Sequence, residues 1–216
     1  MRSEDIKYVI IQAGGKGIRM GRYAENKPKC LVSVKGIPMI MNTIEKYKDK
    51  EIIIIADYKA DVLEAYLSNF CKYNFTICQT TEQGTAGGLG KVVDSIPDDE
   101  PFVLTWADLF FEETPEFEFN KDLLVGLSNT FKCRWKLENN KFVNEASTEV
   151  GVAGFFAFKN KKRFDKLSIS KSLVRGFLSD NYKDNEIESF TLSNCFEVGE
   201  VDKYESILVN ELNHRF

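Results

Sequence analysis

A cluster of glycines and basic residues follows the first apolar run of this 216-residue chain. Residues 8–11 are apolar and mostly β-branched, which is typical of a buried parallel strand, and residues 12–21 are rich in glycine. Glycine lets successive backbone N–H groups surround a phosphate, and the cations of Arg19 and Lys29 suit phosphate oxygens. The stretch therefore predicts a site for a polyanion at the end of a strand.

Two common glycine loops do not fit this stretch. The dinucleotide loop needs G-x-G-x-x-G, but Met20 stands in place of the third glycine and Gly21 comes one residue too late. The P-loop needs G-K-[ST], but Gly17 follows Lys16 and supplies no hydroxyl group. We therefore expect neither a dinucleotide-binding loop nor a P-loop.

The stretch instead resembles the signature of the nucleotidyltransferases that activate sugar phosphates, phosphocholine and similar small phosphates. That signature reads G-G-x-G-x-R-[LM], then P-K, then G-x-P-[ML], and the chain has GGKGIRM at 14–20, PK at 28–29 and GIPM at 36–39. The resemblance, to a short form of the family, implies an α/β protein: a Rossmann-like α/β/α sandwich with a mixed, mostly parallel central sheet. It also implies that Arg19 holds the departing pyrophosphate and that Lys29 lies between the two reacting phosphates. The implied nucleotide-binding residues of this loop are Gln12, Ala13, Gly14, Gly15, Lys16 and Gly17.

A second stretch, residues 79–89, resembles the G-T-A-G segment of the same family, which lies over the nucleobase and opens a helix. Either Gln79 or Gln83 is the candidate reader of the base edge, and the sequence does not choose between them. The alternative interpretation is a flexible loop with a helix cap at Thr85. The other candidate nucleotide-binding residues here are Gly84, Thr85 and Ala86.

Two carboxylates match the positions where the family binds Mg²⁺. Asp108 follows a predicted strand where the family has G-D, with Ala107 in place of the glycine. Glu197 stands where the family has a second metal-binding Asp, and its longer side chain can still reach a hard cation. The alternatives are a turn or cap role for Asp108 and a solvated edge charge for Glu197.

The residues that bind the acceptor in the family are only partly matched in this chain. Glu145 lies where the family has E-K-P, whose Glu contacts a sugar hydroxyl and whose Lys holds the substrate phosphate, but this chain lacks that Lys and Pro. Gly154 lies in the A-G strand that borders the acceptor pocket in the family. Aromatic residues could wall a pocket for a different phosphorylated molecule or belong to the core: Trp106, Trp135, Phe155 and Phe156.

Strands and helices alternate along the first half, which predicts a parallel sheet with ligands at the carboxyl ends of its strands. We expect one domain over residues 1–216. The predicted strands are 8–11, 51–56, 75–78, 102–106, 123–127, 150–158, 188–192 and 195–198, with an extended piece at 31–34 and a hairpin around 139–140. The predicted helices are 38–47, 61–70, one from the G-T-A-G segment to about residue 95, 170–178 and 202–212.

Composition excludes several classes of function. A net charge of −4 argues against a nucleic-acid binder. No apolar run approaches the roughly 20 residues of a membrane span, and residues 1–5 lack a signal-peptide core, so we expect a cytoplasmic protein. The sequence leaves open whether it is a monomer or a homodimer. The five cysteines are scattered and read as reduced thiols. With His214 as the single histidine, a histidine triad or a histidine metal cluster is not expected.

The expected function is nucleotidyl transfer from an NTP, with CTP favoured, to a small phosphomonoester such as a sugar phosphate or a phosphocholine-like acceptor. Pyrophosphate is released, and precursor synthesis for surface polysaccharide is the setting that the resemblance implies. One alternative is a glycosyltransferase of GT-A fold, but that class wants D-x-D where the chain has Ala107-Asp108-Leu109. The other is a non-catalytic nucleotide-binding protein.

Overall fold

The structure is a computed structural model that describes residues 1–82, 84–169 and 172–213. Its strands are β1 (Tyr8–Gln12), β2 (Ser33–Val34), β3 (Ile37–Pro38), β4 (Glu51–Ala56), β5 (Thr76–Gln79), β6 (Phe102–Trp106), β7 (Leu109–Phe111), β8 (Leu123–Ser128), β9 (Lys136–Glu138), β10 (Lys141–Val143), β11 (Gly151–Phe158), β12 (Ile187–Thr191) and β13 (Cys195–Glu197). Its α-helices are α1 (Met39–Lys46), α2 (Ala60–Phe70), α3 (Leu89–Asp94), α4 (Ser179–Asn181) and α5 (Val201–Asn213). Short 3₁₀ segments are Ser3–Asp5, Ile18–Tyr23, Lys29–Leu31, Phe164–Ile169 and Asp184–Glu186, and Leu173–Leu178 is π-helical.

A mixed sheet forms the centre of the described structure. Strands β5, β4, β1 and β6 lie side by side in this order and are all parallel. Strand β11 joins β6 in the antiparallel sense, and β8, β9, β10 and β12 extend the sheet beyond it. After β5 the chain returns to the opposite side of β1, so a topological switch point lies between β1 and β6. Ligands of open α/β sheets bind at such a point.

Helices cover both faces of the sheet, because successive residues of a buried strand point to opposite sides. In β1, Val9 and Ile11 pack into a core with helices α1 and α2, whereas Ile10 packs into a second core with helix α3. All three side chains are fully buried. This three-layer arrangement confirms the predicted α/β/α sandwich.

The glycine-rich segment packs against the C-terminal part of the chain. Met20, Val34 and Val198 share a third, smaller apolar cluster. The hydroxyl of Tyr204 in α5 donates a hydrogen bond to the carbonyl of Ser33 at 2.8 Å. Ser33 and Tyr204, which are 171 positions apart in the sequence, therefore meet beside the predicted phosphate site.

Most predicted elements are confirmed within one or two residues, including the hairpin, whose Asn139 and Asn140 both adopt left-handed backbone angles. Strand β7 was not predicted; it is only three residues long, and its partner β13 lies far away in the sequence. The expected extended piece at 31–34 begins as a 3₁₀ turn at Lys29–Leu31. The predicted helix 170–178 is π-helical over its described part, and residues 170 and 171 lie outside the described residues.

Over the residues that the structure describes, no helix is both long and apolar enough to cross a bilayer.

Candidate active site

The glycine turn after β1 is shaped by close packing around Gly17. This residue has φ +66°, a left-handed backbone conformation, and a Cβ added there would lie 2.8 Å from the Cβ of Lys29. Glycine is needed at this position because both the backbone angle and the close approach exclude a side chain. Gly17 therefore brings the glycine turn and Lys29 together, although they are twelve residues apart.

A cleft of about 870 Å³ opens at the carboxyl ends of β1 and β6, over the switch point of the sheet. It brings together most residues that the sequence predicts for nucleotide binding and catalysis. The predicted residues that line it are Gln12, Ala13, Gly14, Gly15, Lys16, Arg19, Lys29, Gly84, Thr85 and Asp108. Two of the other predicted residues, Gly17 and Ala86, do not line the cleft. Gly17 packs against Lys29, and Ala86 is buried, with 4% of its surface exposed.

Of the two candidate base readers, the structure describes only Gln79. Gln79 is exposed, and its side-chain amide donates a hydrogen bond to Glu64 at 3.1 Å instead of lining the cleft. Gln83 lies outside the described residues. Thr80 and Glu82 of the same segment do line the cleft, and the carboxylate of Glu82 accepts the backbone N–H of Gly88 at 2.8 Å.

Gln12 ties the G-T-A-G loop to the end of β1. Its side-chain nitrogen donates to the carbonyl oxygen of Gly87 at 3.1 Å. Because a carbonyl oxygen only accepts hydrogen bonds, the amide orientation is fixed and Oε1 of Gln12 remains buried with no partner. Thr85, expected as a possible helix cap, instead accepts the backbone N–H of Leu173 at 2.9 Å. These bonds hold the loop over the cleft from both sides.

Lys29 and Asp108 form an ion pair at the centre of the cleft. Only 16% and 13% of their side chains are exposed, so water screens this pair less than a surface pair. The other carboxylate oxygen of Asp108, Oδ1, is buried and has no hydrogen-bond partner among the described residues. An unsatisfied anionic oxygen inside a cleft is a site where a cation or a donor group of a ligand would bind.

Asp108 and Glu197 lie on neighbouring segments, as the resemblance implies. Glu197 pairs with Leu109 across the two-stranded sheet of β13 and β7, and the N–H of Val198 donates to the carbonyl of Asp108 at 2.9 Å. Burial and the nearby charge of Asp108 raise the pKa of Glu197, and the ammonium of Lys203, which is hydrogen-bonded to Glu197, opposes this effect.

The carboxylates of Asp108 and Glu197, including the unsatisfied Oδ1 of Asp108, could supply part of the ligand set of a Mg²⁺ ion. Mg²⁺ takes one or two carboxylates and completes its shell with water and substrate phosphates. Within residues 1–82, 84–169 and 172–213, no group of three or more His, Cys, Asp or Glu residues is arranged for a metal ion. Asp108 and Glu197 would therefore hold the ion together with a bound nucleotide, and not as an independent protein cage.

A second cavity of about 400 Å³ adjoins the cleft. Its walls carry aromatic and charged side chains, among them Phe131, Lys132, Glu197, Glu200 and Lys203. Five residues line both cavities and so mark the boundary between them: Arg19, Trp106, Asp108, Arg134 and Trp135. A ligand in each cavity would meet its neighbour at these residues.

Gly154 packs against Trp106 at this boundary. Its φ is +94°, and a Cβ there would lie 2.2 Å from Cε3 of Trp106, so the indole ring rests directly on the glycine backbone. Trp106 also makes an edge contact with Phe156. Its indole nitrogen is buried and has no acceptor in the part of the chain that the structure describes. Glu145 lies apart from both cavities: its side chain is 65% exposed and pairs with Lys136 at 3.0 Å.

The cysteines of the site are not nucleophiles. Cys30 lines the cleft and Cys133 lines the second cavity, and burial raises the pKa of each thiol to about 12. All five cysteines are free thiols. Because a thiolate is the reactive form, these thiols are inert near neutral pH, in keeping with the expected packing role.

Three features of the site were not predicted. Glu200 pairs with Arg19, and Lys203 pairs with Glu197. Glu200 and Lys203 lie within six residues of Glu197, so their positions near the site could have been inferred, but not their partners. Arg134 has no motif around it, and only the fold brings it to the boundary of the two cavities.

Comparisons with known proteins agree with this architecture. Residues 9–115 match the family model of the MobA-like NTP transferase domain. The chain is 34% identical over 116 residues to the bifunctional protein GlmU of Methanocaldococcus jannaschii, which covers 52% of this chain and 27% of that protein. It is 27% identical over 153 residues to glucose-1-phosphate cytidylyltransferase of Salmonella typhimurium, which covers 56% of this chain and 60% of that protein. The chain thus spans no more than 60% of either relative's length.

Among solved structures, the CTP:phosphocholine cytidylyltransferase LicC of Streptococcus pneumoniae superposes on 96% of this chain and 100% of its own, with a TM-score of 0.77 and 20% identity. At that identity the likeness shows the fold alone, and it confirms the expected Rossmann-like architecture. The curated relatives and the MobA-like NTP transferase domain that matches residues 9–115 confirm the resemblance to nucleotidyltransferases that the motifs indicate.

Proposed function

We propose that this chain, acting as one catalytic domain over residues 1–216, joins an NTP to a small phosphomonoester and releases pyrophosphate. The observation that carries the proposal is the pair of adjoining cavities, which share Arg19 and Asp108 at their boundary. The larger cavity begins at a glycine turn suited to a triphosphate. The smaller one has room for a second, smaller ligand.

In the proposed reaction, an oxygen of the acceptor phosphate attacks the α-phosphorus of the NTP. A new P–O bond forms, the bond between the α- and β-phosphates breaks, and pyrophosphate leaves. The second pKa of a phosphomonoester is about 6, so the attacking oxygen is already ionised at neutral pH and needs no general base. Catalysis then rests on orientation and on neutralising the developing charge.

Each charged residue has a role in this reaction. Gly14, Gly15 and Gly17 hold the triphosphate, and Arg19 exchanges Glu200 for the departing pyrophosphate oxygens. Lys29 turns from Asp108 to the oxygens between the two reacting phosphates. Mg²⁺ held by Asp108 and Glu197 would neutralise phosphate charge when bound.

We favour CTP as the nucleotide and a non-sugar phosphomonoester as the acceptor. Two relatives support the base: one is named a glucose-1-phosphate cytidylyltransferase and the other a CTP:phosphocholine cytidylyltransferase. The acceptor class is supported by the missing lysine after Glu145 and by the exposed position of Glu145 itself. A role in surface-polysaccharide precursor synthesis is part of the proposal and is supported by the family resemblance alone.

A coupled pyrophosphate assay tests the proposal. The protein is incubated with Mg²⁺, each of the four common NTPs and a panel of phosphomonoesters that includes phosphocholine and glucose 1-phosphate. We expect pyrophosphate release with CTP and a non-sugar acceptor, and none when the acceptor is omitted. Equal or faster turnover with GTP or ATP would contradict the CTP preference, and turnover only with hexose 1-phosphates would contradict the acceptor class.

A further inference from the structure

We propose that Arg134 binds the phosphate group of the acceptor and so replaces the lysine that this chain lacks after Glu145. This inference rests on the proposed nucleotidyl transfer and names the residue that selects its second substrate. The acceptor class that fits is a small phosphomonoester with few hydroxyl groups.

The charges in the smaller cavity leave Arg134 available. Each of the three carboxylates that line this cavity is already paired with a cation: Asp108 with Lys29, Glu197 with Lys203, and Glu200 with Arg19. In contrast, the side chain of Arg134 has no ion pair or hydrogen bond with any described residue, and the same holds for Lys132. The cavity therefore carries an excess of positive charge that an anionic ligand would neutralise.

Arg134 lies where the reaction needs a cation. It lines both the nucleotide cleft and the smaller cavity. An acceptor phosphate must lie next to the α-phosphate to attack it in line, which brings two anions together at this boundary. A guanidinium can donate two parallel hydrogen bonds to one phosphate and stays charged at any working pH.

The backbone around Arg134 is held firmly in place. Cys133 and Ser147 exchange two backbone hydrogen bonds, at 2.8 and 3.0 Å, and the N–H of Val152 donates to the carbonyl of Trp135 at 2.8 Å. A Cβ on Gly151 would lie 2.6 Å from that of Cys133, so the segment packs directly on β11. Cys133 is buried in this contact, whereas its neighbour Arg134 is exposed and lines both cavities.

The other walls of the cavity indicate the rest of the acceptor. Phe131, Trp106 and Trp135 line it together with Val152 and Ala153. The indole N–H of Trp106, a residue that lines the same cavity as Arg134, is buried and has no acceptor among the described residues, so it is a neutral donor that a phosphate oxygen could satisfy. Since its carboxylates are already paired, the cavity has few groups left to bind the hydroxyls of a hexose.

Tryptophan fluorescence provides the test without requiring activity. The chain has two tryptophans, Trp106 and Trp135, and both line the boundary of the two cavities. Wild-type protein and four variants, Arg134→Ala, Arg134→Lys, Lys16→Ala and Lys141→Ala, are titrated with phosphocholine, inorganic phosphate and glucose 1-phosphate. Lys141→Ala is the matched control, because Lys141 lies on the hairpin that follows Arg134, pairs with Asp184 at 3.1 Å and lines neither cavity.

We expect Arg134→Ala to weaken phosphocholine and phosphate binding about 10- to 100-fold, which is the usual loss of a charge-assisted hydrogen bond. Arg134→Lys should recover part of the affinity, Lys141→Ala should match the wild type, and glucose 1-phosphate should bind more weakly than phosphocholine. In turnover assays, the KM for the acceptor should rise in Arg134→Ala while the KM for the NTP stays within about twofold.

Three results would overturn the inference: wild-type affinity in Arg134→Ala, no saturable fluorescence change with any of the three probes, or a loss of phosphate affinity in Lys16→Ala but not in Arg134→Ala. The last result would place the bound phosphate at the glycine turn. If Arg134 governs phosphate binding but no NTP and acceptor pair releases pyrophosphate, the proposed function fails while the phosphate site stands.

Discussion

Lys29 is the residue on which the proposed chemistry depends most. Its ammonium group pairs with Asp108 inside the cleft, and its Cβ packs against Gly17 of the glycine turn. A cation in this position can move from the carboxylate to a phosphate oxygen by rotating its flexible side chain. Because charge builds up on those oxygens during the reaction, the bond gained is strongest in the transition state.

We predict that Lys29→Ala lowers kcat by about 100- to 1,000-fold and changes the dissociation constant of the NTP by less than about tenfold. Lys27→Ala is the control, because Lys27 lies in the same segment and does not line the cleft. Steady-state kinetics and calorimetric binding measure the two quantities. Near wild-type turnover in Lys29→Ala, or an equal loss in Lys27→Ala, would remove Lys29 from the mechanism.

Asp108 and Glu197 are predicted to act on the metal ion to different degrees. Asp108 has an unsatisfied buried oxygen, whereas the carboxylate of Glu197 is bonded to Lys203. Asp108→Asn should therefore abolish activity at ordinary Mg²⁺ concentrations, and Glu197→Gln should raise the Mg²⁺ requirement but leave some activity. EDTA should abolish activity in the wild type. Calorimetry of NTP binding with and without Mg²⁺ gives a readout besides activity, and an NTP affinity that does not depend on Mg²⁺ would contradict the assignment.

At the scale of elements, the site depends on two glycines that let segments approach closely. Gly17 brings the glycine turn to Lys29, and Gly154 allows the ring of Trp106 to lie on β11. In both cases the positive φ and the short contact distance exclude a Cβ. Neither glycine binds a ligand through a side chain, but both fix residues that line the cavities.

Gly17→Ala should destabilise the protein by about 1–2 kcal/mol, because an alanine in the left-handed conformation is strained. For a chain of this size that corresponds to a fall in Tm of about 2–8 °C. Gly15→Ala is the matched comparison for stability: no atom lies within 4 Å of the added Cβ, and its Tm should change by less than about 1 °C. Differential scanning calorimetry measures both variants, and equal Tm values would show that the contact between Gly17 and Lys29 is loose.

Much of the fold could be predicted from local patterns, whereas contacts between distant segments could not. The runs that became β1, β4 and β6 are continuous and apolar, and the Asn139-Asn140 turn carries its own conformational preference. Strand β7 was not predicted because a run of three apolar residues is too short to show a periodicity. Its pairing with β13 is a tertiary contact, which local patterns do not indicate.

The candidate site shows the same division. The glycine turn, Arg19, Lys29 and Asp108 belong to short motifs with a mechanism of their own, so their types and spacing indicated a phosphate site. Arg134 has no such motif, and only the packing of its segment on β11 brings it beside the cleft. The roles assigned to these residues stay predictions until they are measured.

At the scale of the whole molecule, an ion cluster centred on Arg163 connects the segments next to β8, β11 and β12. Arg163 pairs with Glu186 and, at 3.0 Å, with Asp122, and its guanidinium lies over the ring of Tyr182. The hydrogen bond from Arg163, together with the backbone N–H of Lys183, lowers the pKa of Glu186 from 4.5 to about 2. The folded state therefore favours the ionised carboxylate.

This shift predicts a defined pH dependence of stability. Because the folded-state pKa is lowered, Glu186 stabilises the protein above pH 4.5, and this contribution is lost as the pH falls from 4.5 toward 2. Glu186→Gln should be less stable than wild type at pH 7, and the difference should shrink over that range. Urea denaturation at pH 7, 4.5 and 3 measures it. A difference that stays constant across these pH values would contradict the assigned pKa.

The central claim is that the α-phosphate of an NTP is transferred to a phosphomonoester. It is tested most directly with CTP labelled with ³²P at either the α- or the γ-phosphate, incubated with phosphocholine and Mg²⁺. The account predicts that the α label appears in a CDP-linked product and the γ label in pyrophosphate, in equal amounts. Release of the γ label as inorganic phosphate, or an unchanged nucleotide with every acceptor and base tried, would contradict it.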